Sequence, residues 1–408
     1  MSGFGFTLER TDGRARAGVL HTRRGDVPTP VFMPVATHAA FRHVSVDEAG
    51  EAGARILLGN TYHLMLRPGR EVFERLGGIH RFMGWDGCVL TDSGGYQIFS
   101  LPEDREITER GAHFRSFHDN SRQLLSPESS IAMQQALGSD VMMVLDVVHD
   151  AREELEPARD AMERTHRWAV RSVEAAQARD TGQALFGIVQ GGIHPELRDR
   201  SVDFLTRLPF HGFAIGGLAV GEEKGPRDAM TSRVAEQLPV DRPRYLMGVG
   251  TPLDLVEAVE RGVDMFDCII PTKMAQQGYA YTFQGLVRIT RMAHRLEEVP
   301  LDPTCDCVAC TRHGRAYVHH LMRGKHALGS RLLSIHNLRH YQVLMRRMRE
   351  AILAGRYPAL VEEMRSLWAC RTSSRSRSPA ASGASGNAAP GRSCIPGSGR
   401  GGRPSCST

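Results

Sequence analysis

Short apolar runs recur along the chain, and each gives way to a stretch whose apolar positions repeat at helical spacing. The runs are residues 55–59, 88–90, 141–145, 184–189, 212–215, 245–249 and 265–270. Amphipathic stretches at 127–137, 156–176 and 252–261 lie between several of them. Ser126-Pro127 and Thr251-Pro252 predict helix starts. In each pair a hydroxyl can cap free N–H groups, and proline suits the first helical position. Strands alternating with helices predict a parallel sheet. Seven or eight such units over about 300 residues fit a closed (β/α)8 barrel. A doubly wound open sheet is the competing expectation, and the lack of a GxGxxG after the first run counts against it.

One regularity sharpens the expectation. Polar residues or glycines stand at the C-terminal ends of these runs: Asn60, Asp92, Asp146, Gln190, Gly216-Gly217, Gly248 to Gly250, and Asp267 within its run. In a (β/α)8 barrel those ends converge on one face, where active sites form. A single carboxylate there could equally be a helix cap.

After Pro300 the pattern changes. A segment rich in Cys, His and Arg precedes a helical stretch at 338–354. From about Arg371 the chain becomes Ser, Gly, Pro, Ala and Arg, which cannot bury a core and is expected to be disordered. The expected organisation is a barrel domain over 1–368, with a metal-binding subdomain at about 300–340, and a tail at 371–408.

Composition changes this picture in two places. The 408 residues carry a net charge of +5, but the tail holds six arginines and no acid, leaving the rest one unit on the acidic side of neutral. Overall charge is therefore no argument for a nucleic-acid partner, and only a local patch counts. Eight cysteines are present, three of them crowded into Cys305, Cys307 and Cys310. The other apolar runs are strand-sized, none spans a membrane, and residues 1–10 lack a signal-peptide layout, so a cytoplasmic protein is expected.

Cys305-x-Cys307-x2-Cys310 followed by His336 offers three thiolates and one imidazole, a closed set suited to structural zinc. By spacing alone His313, His319, His320 and His326 compete for the fourth position. Around this cluster lie Arg312, Arg315, Arg323, Lys325, Arg331, Arg339, Arg346 and Arg347. They form either a phosphate-binding patch or a solvated helical face, and both readings stay open.

Asp92 and Asp267 are the obvious carboxylate pair. One can attack an anomeric carbon while the other protonates the leaving group and later deprotonates the incoming one. Patterning takes the reading no further than retaining chemistry at a sugar carbon.

The segments Phe32-Met33-Pro34-Val35, Leu58-Gly59-Asn60-Thr61-Tyr62-His63-Leu64, Thr91-Asp92-Ser93-Gly94-Gly95-Tyr96-Gln97, Gln190-Gly191-Gly192, Ile215-Gly216-Gly217-Leu218, Tyr245-Leu246-Met247-Gly248-Val249-Gly250 and Asp264-Met265-Phe266-Asp267-Cys268, with the cysteine–histidine set, carry a resemblance in this order and spacing. From about Phe32 to Ala354 the chain resembles the tRNA-guanine transglycosylases, also called queuine tRNA-ribosyltransferases. The resemblance implies Asp267 as the nucleophile on the ribose of the wobble guanosine and Asp92 as general acid and base. It implies base-edge recognition by Asp146, Gln190 and the backbone of Gly217, with Ser93 and Asn60 nearby. Tyr96 and Met247 would sandwich the flipped base, and Leu218, Glu222 and Val148 would border its 7-substituent. Cys305, Cys307, Cys310 and His336 match the zinc ligands. Lys273, Gln276 and Arg315 would meet tRNA. The implied partners are tRNAs with a G-U-N anticodon, a free 7-deazaguanine base and a second copy of the chain in a homodimer.

The departures matter. The bacterial Asp-Glu-Cys is Asp146-Val147-Val148 here, and the eukaryotic pattern has a valine where Val148 stands. This predicts acceptance of queuine beside the bacterial precursor 7-aminomethyl-7-deazaguanine, although Ala219-Val220 keeps the bacterial form. Lys273 and Gln276 stand where the family usually has two arginines, and glutamine loses the charge. The competing function is a non-catalytic tRNA-binding subunit, which the presence of both Asp92 and Asp267 disfavours. A retaining glycosidase fits poorly with a chain that is 6% aromatic. A cysteine-rich closed metal set disfavours zinc hydrolysis.

Overall fold

Burial on both faces, rather than alternation, makes the strands of the central sheet. Residues 3–101, 105–150 and 154–372 are described in the computed structural model. Three antiparallel strands come first, β1 (Gly5–Asp12), β2 (Ala15–Thr22) and β3 (Gly25–Thr29). The first two parallel strands of the central sheet are β4 (Val31–Pro34) and β5 (Ile56–Gly59), joined by β6 (Cys88–Thr91). A small antiparallel sheet intervenes, β7 (Glu106–Ile107), β8 (Ala112–Arg115) and β9 (Arg122–Leu125). The central sheet resumes with β10 (Val141–Met143), β11 (Ala184–Val189), β12 (Gly212–Ile215), β13 (Arg244–Leu246) and β14 (Met265–Cys268). A last hairpin is formed by β15 (Tyr279–Thr282) and β16 (Gly285–Arg288).

The eight parallel strands neighbour one another in chain order, from β4 round to β14, which pairs back with β4. Closure between β4 and β5 comes from a parallel bridge of Val35 with Leu58 and from the Ala36 N–H donating to the Leu58 carbonyl at 2.8 Å. This is the (β/α)8 barrel expected, and the closed consecutive order excludes the doubly wound alternative. All six residues of β11 are buried, as both faces of a barrel strand require.

The predicted helix starts hold. Ser126 accepts the Ser129 N–H at the head of Pro127–Leu137, and Thr251 accepts the Asp254 N–H at the head of Pro252–Glu260. Other boundaries shift. Strand β4 was absent from the apolar runs, because four residues flanked by Pro30 and ending in Pro34 give no periodicity to read. The runs at 141–145, 245–249 and 265–270 overshoot their strands; past the second and third, Met247, Gly248, Ile269 and Ile270 line the barrel mouth, while Val144 and Leu145 stay buried in the core. The late helix expected at 338–354 spans Ala327–Leu353. Its early part holds Gly329, Ser334, His336 and Asn337, weak helix formers that are all buried, so packing overrides propensity there. The sheets β1–β3 and β7–β9 had no counterpart in the sequence reading.

Residues 1–369 form one compact unit. The Ser/Gly/Pro/Arg-rich tail lies, from residue 373, outside the described residues. Among the described residues no helix is long and apolar enough to cross a membrane.

Candidate active site

The C-terminal ends of the barrel strands surround a cavity of about 390 Å³, within the size range of small-molecule sites. Its wall includes Asn60 after β5, Asp92, Ser93 and Tyr96 after β6, Asp146 and Val148 after β10, Gly217 and Leu218 after β12, Met247 after β13, and Asp267 on β14. Polar residues scattered over some two hundred positions of sequence thus meet because each ends one strand of a closed ring.

Asp92 is buried and held by the Asn60 side-chain amide and by the Thr61 N–H at 2.8 Å. Burial pushes its carboxyl up to about 6, and the charge of Asp267 adds to this, while the bonds from Asn60, Thr61 and Gln97 hold it down. A carboxylic acid in that range can both give and take a proton near neutral pH.

Asp267 is also pushed up by burial, and two donors oppose the shift. The Tyr245 hydroxyl donates to Oδ1 at 2.6 Å, and the Gly248 N–H donates to the same oxygen at 2.9 Å. Both donors fall on Oδ1, which leaves Oδ2 as the oxygen suited to attack. Sequence reasoning missed Tyr245, which reads as a core strand residue. The signal was present: a buried tyrosine hydroxyl needs a partner, and Tyr245 is fully buried.

Asp146 accepts the Ser93 hydroxyl at 2.8 Å and the Gln190 amide at 2.7 Å. Burial raises it and these bonds lower it. Gly95 is required beneath it, since a Cβ there would lie 2.3 Å from Asp146 Oδ1. Gln190 is fully buried behind the wall, and its Oε1 has no partner among the described residues. Gly217, at φ +64°, comes so close that a Cβ would meet that oxygen at 2.4 Å.

Tyr96, 53% exposed, and the partly buried Met247 both face the cavity. Of the two valines, only Val148 lines it. Val147 packs in an apolar cluster with Ala161 and Trp168, and its N–H donates to Thr165. Glu222 is not part of the wall but accepts the Val220 N–H at 3.0 Å. Lys273 is exposed on the helix Ile270–Gln276 that follows β14. Gln276, on the same helix, accepts from Arg42 at 3.2 Å, so a guanidinium stands beside it although its own charge is missing.

Arg315 is spent elsewhere. Its three nitrogens reach the Pro300 and Leu301 carbonyls and the Glu297 carboxylate. Much of the basic concentration is paired in the same way, Arg331 with Glu48, Arg339 with Asp306, Arg346 with Glu350 and Arg347 with Glu363.

The ligand atoms of Cys305, Cys307, Cys310 and His336 all lie within 4.8 Å of one another. His336 Nδ1 is 3.2 Å from Cys310 Sγ, while its Nε2 faces the Tyr281 carbonyl at 2.8 Å. An Nε2–H donated to that carbonyl leaves the Nδ1 lone pair for a metal, the usual outer bracing of a histidine ligand. Three sulfurs and one nitrogen at this separation fit a metal ion with no open position. Neighbouring Asn337 accepts the Tyr281 N–H and donates to the Pro271 carbonyl, and Tyr341 donates to the Gly250 carbonyl. One helix therefore ties the cysteine–histidine cluster to the segments on either side of Asp267.

The family model for "Queuine tRNA-ribosyltransferase" matches residues 11–369. The chain is 50% identical over 368 residues to the queuine tRNA-ribosyltransferase of Novosphingobium aromaticivorans, covering 90% of this chain and 98% of that protein. It is 48% identical over 358 residues to the proteins of the same name from Shewanella sp. strain ANA-3 and Photobacterium profundum, covering 88% of this chain and 96% of each.

Proposed function

The chain belongs to the queuine tRNA-ribosyltransferase family, and on that premise we propose that it is a tRNA-guanine transglycosylase, a pentosyltransferase that exchanges the wobble guanine of G-U-N anticodon tRNAs for a 7-deazaguanine. The observation that carries the mechanism is the pair of carboxylates in one cavity, Asp92 and Asp267, with Asp92 poised at about 6.

A target base must leave the stack to reach a cavity at a barrel mouth. Tyr96 and Met247 supply the faces of its slot, and Asp146 accepts N–H groups from its edge. Gln190 and the Gly217 N–H complete that edge, and the partnerless Gln190 Oε1 is consistent with an amide that reorients on base binding. Asp267 Oδ2 attacks C1′ of the ribose. The C1′–N9 bond breaks, its electron pair leaves with guanine, and Asp92 delivers a proton to the departing base. A carboxylate ester now joins Asp267 to C1′. Asp92, ionised by that transfer, takes the N9 proton of the incoming base. N9 then displaces Asp267, and two inversions give net retention.

Structural zinc is the metal best suited to the Cys3His set, and Cys305, Cys307, Cys310 and His336 would hold it. Arg42 and Lys273 are the cations for the anticodon phosphates, with Gln276 orienting Arg42. Arg315 is left out of that surface because its donors are engaged. The protein acts in the cytoplasm as a homodimer, following the family precedent.

Val148 gives the substituent end of the slot an apolar wall, which favours queuine beside the aminomethyl base. The test is incubation with a G-U-C anticodon tRNA and equal amounts of both bases, read by nucleoside mass spectrometry. A deazaguanine in the tRNA is the expected result, with queuine a measurable share. A tRNA that keeps only guanine would overturn the catalytic reading in favour of a non-catalytic tRNA-binding subunit.

A further inference from the structure

The hairpin of β8 and β9 carries an aromatic ring that the barrel does not use. Phe117 stands at its tip and is 59% exposed. The ring is held rather than loose. It lies 4.1 Å from the ring of His118, 6.1 Å from His63 and 6.4 Å from Tyr62, nearly parallel to the last. The turn beneath it is closed by the Asn120 N–H donating to the Ser116 carbonyl at 2.8 Å and the Ser116 N–H donating to Ser121 at 2.9 Å. Asn120 takes the left-handed conformation at φ +59°, and Asp119 turns its carboxylate back onto the Ser121 N–H and hydroxyl. A rigid turn therefore presents a flat apolar surface to solvent.

What covers that surface follows from its neighbours. His63, in contact with Phe117, is itself part of the cavity wall. The platform thus begins one ring away from the pocket. Arg115 and Arg122, paired across the hairpin, are both exposed just behind the tip. Aromatic faces beside cations and next to a base pocket match a single-stranded nucleic-acid platform, where bases stack on rings and phosphates meet cations.

We propose that Phe117 is a stacking platform for a loop nucleotide adjacent to the one inserted in the cavity, with Arg115 and Arg122 facing the phosphates. This rests on the tRNA-exchange reading above. Extrusion of one base leaves its neighbour without a stacking partner, and Phe117 replaces that partner. Phe117 binds RNA and touches no reacting atom.

The test compares wild type, Phe117→Ala and Phe117→Trp in exchange of labelled guanine into tRNA. The Ala variant is expected to raise KM for tRNA about tenfold, the scale of one lost base–aromatic stack, with kcat and KM for free guanine held. The Trp variant restores KM. In parallel, an anticodon stem-loop with 2-aminopurine on either side of the target guanine reports stacking by quenching. Quenching at one flank is expected with wild type and Trp, and is lost with Ala. An unchanged KM for tRNA in the Ala variant overturns the proposal, as does absence of quenching at both flanks. A changed sedimentation coefficient for that variant also overturns it and assigns the ring to contact between copies of the chain. If wild type incorporates no guanine at all, the exchange reading fails and this proposal fails with it.

Discussion

At the barrel mouth, Asp92, Asp146 and Asp267 sit in a largely apolar wall with two or three donors each, and burial drives all three upward. At the other polar centre, Cys305, Cys307, Cys310 and His336 converge on a single point, and the outer nitrogen of the histidine is already fixed by the Tyr281 carbonyl. Both centres bury groups that prefer water as ions. The first meets that preference only in part, which is what keeps Asp92 at about 6, where it can exchange a proton near neutral pH. The second can meet it fully, since its four inward-turned ligands suit one bound ion with no open position. Reactivity and stability are thus separated in space, and the helix Ala327–Leu353 joins the two through Asn337 and Tyr341.

Removing one group from each centre should have opposite consequences. Asp267→Ala is expected to lower kcat for guanine exchange by ~10⁴-fold or more, because the covalent route is lost, while its thermal midpoint stays level with wild type or rises. A midpoint that drops by many degrees would mean that the pocket stabilises the fold, against the distinction drawn here. Cys310→Ser should do the reverse. Its loss of stability is expected to be on the order of 5 kcal/mol, read by denaturant unfolding, and prolonged chelation of the wild type should mimic it. Elemental analysis of the untreated protein should give one zinc per chain.

Tyr245→Phe tests a finer point. It removes one charge-assisted hydrogen bond from Asp267, so kcat should fall roughly 10- to 100-fold. The bond favours the ionised carboxylate, so its loss raises the pKa of Asp267. The acid limb of the pH–rate profile should therefore move to higher pH. A lower kcat with an unmoved limb would make Tyr245 a packing residue only.

The smallest effect is on stability against pH. Asp92 lies at about 6 in the folded chain, above the ordinary carboxylate value of 3.8. A raised carboxyl contributes stability that is fully present below its unfolded pKa and is lost as pH rises through its folded one. Asp92→Asn removes that loss. The variant should gain stability relative to wild type between pH values of about 4 and 6, by roughly 1–3 kcal/mol, as urea midpoints would measure. A difference that stays flat across that window would mean that Asp92 is not raised.

Much of the site was legible before the fold was known, for a simple reason. The strands of a barrel are short and apolar, so a carboxylate or glycine at the end of each one stands out. Asn60, Asp92, Asp146, Gly217 and Asp267 were all found that way, and all reach one cavity. Gln190 stood in the same pattern but lies behind the wall, where it holds Asp146. Tyr245 and Arg42 escaped notice because their roles come from partners far along the chain, Asp267 and Gln276.

The alternation of strand and helix, the capped starts at Ser126 and Thr251, and the cysteine spacing could be read from local order, since each depends on neighbours within a few residues. The sequence also singled out the acids, because carboxylates at the ends of several successive apolar runs are more than helix caps account for together. Which valine of Val147-Val148 meets the cavity, that Arg315 is occupied, and that Phe117 stands beside the pocket emerged with the folded barrel alone. Those facts depend on which surfaces the closed ring brings together. Burial and long-range partners set them, and neither is written in local order.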